Sequence, residues 1–133
     1  MNKEARIAEL LKKWMPRLGL QDWIINVTIH ATEMEGDDRC EAAITEDLKY
    51  HNADLEIYKP FWLNDPIHQE KDIIHELTHL LTCRLHPYLA PLGDDALEET
   101  VQTIAMQFFN AYKEEEITKE ELTPAMGFHT DDE

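Results

Sequence analysis

The stretch Ile73-Ile74-His75-Glu76-Leu77-Thr78-His79-Leu80-Leu81 decides how this chain of 133 residues is read. Its apolar residues recur with helical spacing. Ile73, Ile74, Leu77, Leu80, Leu81 and Leu85 share one arc, while Asp72, His75, Glu76, His79 and Cys83 share the opposite one. The first arc is suited to bury against a core, and the second gathers groups that bind metals or carry protons. Asn64-Asp65-Pro66 supply a capping side chain and a first-turn proline to open the helix. It is expected to run to about His86, where Pro87 stops it.

The neighbouring segments follow from the same periodicities. Downstream, Asp94-Asp95 can cap a second long helix with Leu97, Val101, Ile104, Ala105, Phe108 and Tyr112 on one stripe. Upstream, Ile7, Leu10, Leu11, Trp14, Met15 and Leu18 describe a one-faced helix that Gly19 is placed to end. Trp23, Ile25, Val27 and Ile29 alternate with Ile24, Asn26, Thr28 and His30, as in a strand; residues 31–39 read as a polar loop. Cys40–Thr45 and Ala53–Tyr58 are two more short strands, joined by a polar connection that suits a hairpin. The expected fold is a small α+β domain over residues 1–122, with an N-terminal helix, a short three-stranded sheet and two further helices. Residues 123–133, with Pro124, Gly127 and an acidic end, are expected to form a loose tail.

Two histidines four apart on a helix project from one face, close enough to share one zinc ion through their imidazole nitrogens. Glu76, between them, points to the same side, where it can act as general base toward a water that the metal activates. A catalytic zinc usually takes three protein ligands and keeps one position open. The third would come from the next helix, where Glu98 and Glu99 lie 19 and 20 residues after His79. Pro87, Pro91 and Gly93 supply the turn between. Glu99 sits roughly opposite the apolar stripe and Glu98 near its edge.

His75-Glu76-Leu77-Thr78-His79, followed by a helix bearing Glu98-Glu99-Thr100-Val101, resembles the gluzincin branch of the zincin metallopeptidases. In its length the chain is similar to the minimal single-domain members found in bacteria and their phages. The resemblance covers roughly residues 66–112. It implies one Zn2+ per chain held by His75, His79 and a glutamate, with Glu98 and Glu99 matching the two spacings the group admits. Thermolysin-like members use the longer spacing, with apolar residues at fixed distances after the ligand. Val101, Ile104, Ala105 and Phe108 match that pattern counted from Glu99, so the resemblance favours Glu99 and keeps Glu98 as the alternative. It further implies a zincin-like fold, hydrolysis of peptide bonds with Glu76 as proton shuttle, and an edge strand, Ala53–Tyr58, that holds an extended substrate by strand addition. The asparagine and aspartate that flank the ligand in thermolysin-like enzymes are not matched. Asp72 is a candidate to orient a histidine ligand; the oxyanion stabiliser is unassigned, and His86 and Tyr88, which lie nearby in sequence, are read first as surface and packing residues.

Composition sets the outer bounds. Twelve Lys and Arg against 28 Asp and Glu give a net charge of −16, which argues against nucleic acid or an anionic membrane as partner. No stretch has the length of a membrane span or the layout of a signal peptide, and two cysteines build no disulfide framework. The expectation is a soluble, cytoplasmic protein, a monomer acting on a peptide or protein substrate. Cys83 falls one turn past His79 and is read as a small buried thiol, while His30, His51, His68 and His129 are read as scattered surface residues. The competing class is a non-catalytic, zinc-binding regulatory or interaction domain of zincin-like fold. Hydrolysis of a bond other than a peptide is a third possibility. An intact Glu76 between intact histidines speaks for catalysis, since a purely structural site needs no base and more often closes with a fourth Cys or His.

Overall fold

The structure is a computed structural model that describes residues 2–83, 86–112 and 125–131. It is an α+β fold. Helix α1 (Lys3–Arg17) starts at Asn2, whose side chain accepts the Ala5 N–H at 2.7 Å. It buries the expected stripe of Ile7, Leu10, Leu11, Trp14 and Met15. Its end is a left-handed turn at Gly19 (φ 71°), in which the N–H of Leu20 donates to the Met15 carbonyl and that of Gly19 to the Pro16 carbonyl. This double closure satisfies carbonyls that the helix end would otherwise leave open.

The three expected strands are β1 (Ile24–His30), β2 (Ala42–Asp47) and β3 (Asn52–Ile57). Strands β2 and β3 form the antiparallel hairpin, and β1 pairs with β3 in parallel, Ile25 opposite Ala53 and Val27 opposite Leu55. Ile25, Val27 and Ile29 face the core while Ile24 stays 45% exposed, as period-2 alternation requires. A fourth strand, β4 (Ala125–Asp131), lies parallel to β1 on its other side, so the sheet order is β2-β3-β1-β4. Residues 125–131 are therefore not the loose tail expected of 123–133. Glycine and acidic residues weaken the local strand signal there, but pairing along the full length of β1 overrides it. The topology also moves the sheet edge. Ala53–Tyr58 was expected at the edge, whereas β3 lies inside the sheet and β2 is the edge on that side.

Helix α2 (Pro66–Thr82) carries the motif, capped by the Asp65 side chain, which accepts the His68 N–H at 2.8 Å. Ile73, Ile74, Leu77 and Leu80 are buried, but Leu81 is 38% exposed and Leu85 falls outside the described residues. The helix ends four residues before His86, which opens a separate short turn, α3 (His86–Leu89), with Pro87 inside its first turn. A 3-10 turn over Ala90–Leu92 and Gly93 (φ 103°) then lead into α4 (Asp94–Tyr112).

Three helices cover one face of the sheet. Trp14 of α1 is fully buried, donates its Nε1–H to Glu70 of α2 at 2.6 Å and stacks on Phe109 of α4 at 6.4 Å between ring centroids. The residues of α4 that reach the core are Val101, Ala105 and Phe109. Phe108, placed on the stripe by the sequence, is only partly buried. That rotation of α4 decides which glutamate meets the motif helix. Among the described residues, no helix is long and apolar enough to cross a membrane.

Candidate metal centre

Helix α2 presents His75 and His79 one turn apart, their rings 5.1 Å from centroid to centroid and inclined at 76°. Val101, Ala105 and Phe109 lie three, seven and eleven residues past Glu98 and so share its face of α4. The face that packs against α2 thus carries Glu98 to the histidines. Glu98 Oε1 is 3.1 Å from His75 Nε2, and Glu98 Oε2 is 3.3 Å from His79 Nε2. The three side chains bring one donor atom each to within 4.8 Å of one another.

Glu99, the residue the resemblance favoured, is turned away. It lines a shallow depression with Ala96, Thr100, Thr103 and Ile104 on another side of α4. The structure replaces Glu99 with Glu98 beside the histidines because the core registers on Phe109 rather than Phe108.

Gln102, one turn beyond Glu98 on the same face, places Oε1 2.6 Å from His75 Nδ1. An amide oxygen accepts only from Nδ1–H, the tautomer whose Nε2 can bind a metal in place of its contact with Glu98. His79 lies half-buried, and burial holds its pKa below the ordinary histidine value, with the Glu98 charge opposing and His75 and His86 reinforcing. A neutral imidazole is the form that binds a metal.

Glu76 sits on the adjoining face. Its carboxyl is pushed up to about 8, first by burial, then by the charges of Glu98 and Asp72, while the backbone N–H of Ile44 on β2 pulls the other way. A cavity of about 270 Å³ opens beside it, lined by Cys40, Glu41, Ala42, Asp72, His75, Glu76 and Gln102. Two neutral-capable imidazoles and a carboxylate are a donor set that fits zinc, and a cation among them would offset the carboxylate repulsion that raises Glu76.

The remaining candidates divide. Asp72 does not orient a motif histidine; its Oδ1 lies 3.5 Å from His68 Nε2. His86 is near, its ring 6.0 Å from that of His79, with Nδ1 3.6 Å from Glu46 Oε1 and Nε2 buried without a hydrogen bond. Tyr88 is 76% exposed. Cys83 is buried and donates its thiol to the Leu80 carbonyl at 3.2 Å, at the helix end rather than among the converging donors. Sequence reasoning missed Gln102, although a residue four past Glu98 necessarily shares its face. It also missed the Ile44 N–H, which no residue type announces.

No family model, no curated protein and no solved structure matches the chain.

Proposed function

We propose that this protein is a zinc-dependent metallopeptidase in which His75, His79 and Glu98 hold the metal and Glu76 is the general base. The observation that carries the reading is the convergence of both imidazole Nε2 atoms on the two oxygens of one carboxylate, with a second carboxylate at the wall of an adjoining cavity. A zinc ion in this donor set would supply Lewis acidity, polarising a carbonyl and lowering the pKa of water toward about 7.

The chain's own groups account for the rest. Gln102 holds His75 in the tautomer that offers Nε2. Glu76 takes a proton from the attacking water on a carboxylate oxygen and delivers it to the amide nitrogen as the C–N bond breaks. The Ile44 N–H, bonded to that carboxylate, fixes where the proton is received. His86, with Nε2 unbonded beside His79, is the nearer of the two candidates to face a developing oxyanion.

Substrate recognition is assigned to β2. The Tyr58 N–H donates to the Glu41 carbonyl at 2.9 Å, so along β2 the residues in step with Glu41 bond to β3. The main-chain groups of Ala42 and Glu46 and the Ile44 carbonyl therefore point to the open edge, where the Ile44 N–H is already taken by Glu76. An extended peptide added there would run past Glu76, which contacts the Ile44 N–H. The expected setting is the cytoplasm, with the protein acting as a monomer on a peptide or protein.

The test is zinc content and cleavage of a broad peptide library by wild type and Glu76→Gln. One zinc per chain in both, with cleavage by wild type alone, is the expected result. Zinc in both with cleavage by neither would leave the non-catalytic zinc-binding domain as the better account.

A further inference from the structure

We propose that Glu41, His68 and Asp72 form a second divalent-cation site, separate from the His75–His79–Glu98 centre, that takes a first-row transition ion such as manganese(II) or zinc(II).

Two elements build it. His68 and Asp72 are four apart on α2 and share a face, seven and three residues before His75. Glu41 enters from the residue preceding β2, where its carbonyl accepts the Tyr58 N–H and its carboxylate accepts the side-chain amide of Asn64. Asn64 is itself held by the Pro60 carbonyl at 3.1 Å. The Glu41 carboxylate is therefore positioned by the scaffold on both its backbone and its side chain.

The convergence is close. His68 Nε2 lies 3.2 Å from Glu41 Oε1, 3.0 Å from Glu41 Oε2 and 3.5 Å from Asp72 Oδ1. One atom from each residue falls within 4.8 Å of the others, and none of the three residues belongs to the first set. Two ionised carboxylates beside a neutral imidazole carry two negative charges, which a bound dication would balance. No Lys or Arg among the described residues makes an ion pair with Glu41 or Asp72.

An independent observation points the same way. Asp72 Oδ2 is buried and has no hydrogen-bond partner. Withdrawal from water is costly to a carboxylate: burial and the Glu41 charge push the Asp72 carboxyl up to about 7, a penalty that a bound cation would relieve. Asp72 and Glu41 also line the cavity of about 270 Å³, which gives water room to complete a coordination shell. The ligand chemistry selects the ion. One imidazole with two carboxylates suits Mn2+, Fe2+ or Zn2+, whereas Ca2+ seeks six or more oxygens.

The proposal does not depend on the function assigned to the first centre, and its test removes that centre. In the His75→Ala/His79→Ala variant, with folding checked by circular dichroism, Mn2+ is titrated and free ion is read from its paramagnetic resonance signal. One bound equivalent is expected, lost when His68→Gln and Asp72→Asn are added. No bound equivalent, or one that survives those substitutions, overturns the proposal. Should the combined variant fail to fold, metal content of the full chain decides after dialysis against Zn2+. Asp72→Asn alone must lower it by one equivalent, and unchanged content overturns the proposal.

Discussion

The Glu98 carboxylate bridges the two motif histidines, Oε1 to His75 Nε2 at 3.1 Å and Oε2 to His79 Nε2 at 3.3 Å, although its side chain remains 54% exposed. An exposed glutamate gains little from an ordinary ion pair, so its alignment with both rings follows from how α4 packs. With Val101, Ala105 and Phe109 in the core, Glu98 has α2 before it and Glu99 does not.

Zinc affinity should therefore separate two adjacent residues. Glu98→Gln is expected to weaken zinc binding by roughly 100-fold or more, beyond the 10–100-fold usual for groups that only support a ligand. Glu99→Gln should leave it within about threefold, the scatter expected of a surface change. Competition with a chromophoric chelator measures both. A larger loss for Glu99 would overturn the assignment.

Gln102 offers a second separation. Its Oε1 at 2.6 Å from His75 Nδ1 makes it a positioning residue whose work is to accept one hydrogen bond. Gln102→Ala should lower zinc affinity by roughly 10- to 100-fold, while Gln102→Glu, which still accepts from Nδ1–H, should retain it. Equal losses in both variants would mean that the side chain acts through packing. The proton resonances of the His75 ring provide the independent readout, since loss of the acceptor frees the tautomer.

How far the sequence could carry these conclusions is visible in the same residues. The helical arcs of α1 and α2 were legible because apolar spacing alone determines which side is buried, and the two histidines with Glu76 came with α2. The choice between Glu98 and Glu99 was not legible. They differ by about 100° around α4, and the rotation of that helix depends on whether Phe108 or Phe109 enters the core. Both are phenylalanines, so hydrophobicity could not rank them. Glu41 was beyond reach for another reason. It stands 27 residues before His68, and only the antiparallel register of β2 with β3 brings it to α2. Strand order is equally non-local, which is why Ala53–Tyr58 was expected at an edge that β2 occupies.

The metal-free protein should lose stability as pH rises, because the Glu76 and Asp72 carboxyls both hold their protons well above the ordinary carboxylate range. The folded-state value of Glu76, about 8, stands above the ordinary value near 4.5, so between those limits the folded chain keeps a proton that the unfolded chain has released. The contribution is fully present below about pH 4.5 and is gone above about pH 8. Gln cannot ionise, so metal-free Glu76→Gln should match wild type near pH 4.5 and exceed it near pH 8 by roughly 4 kcal/mol. Urea denaturation across that range checks the sign. Saturating zinc should shrink the difference, because a neighbouring cation favours the carboxylate.

The last expectation concerns the strand that composition disguised. Strand β4 pairs with β1 from Ile24 opposite Ala125 to His30 opposite Asp131, and Phe128 packs partly into the core beside it. A chain ended after residue 124 would expose the β1 edge along its whole length and remove the Phe128 ring from the core. Losing that partly buried ring costs about 1–2 kcal/mol by area alone, and the lost ladder adds to it. An uncovered edge also templates pairing between chains. The truncated protein is therefore expected to melt several degrees below the full chain and to aggregate near its transition, whereas β2, with its motif-facing edge, keeps its pairing with β3. Calorimetry with light scattering measures both effects. An unchanged melting temperature would show that residues 125–131 contribute nothing to the sheet's stability.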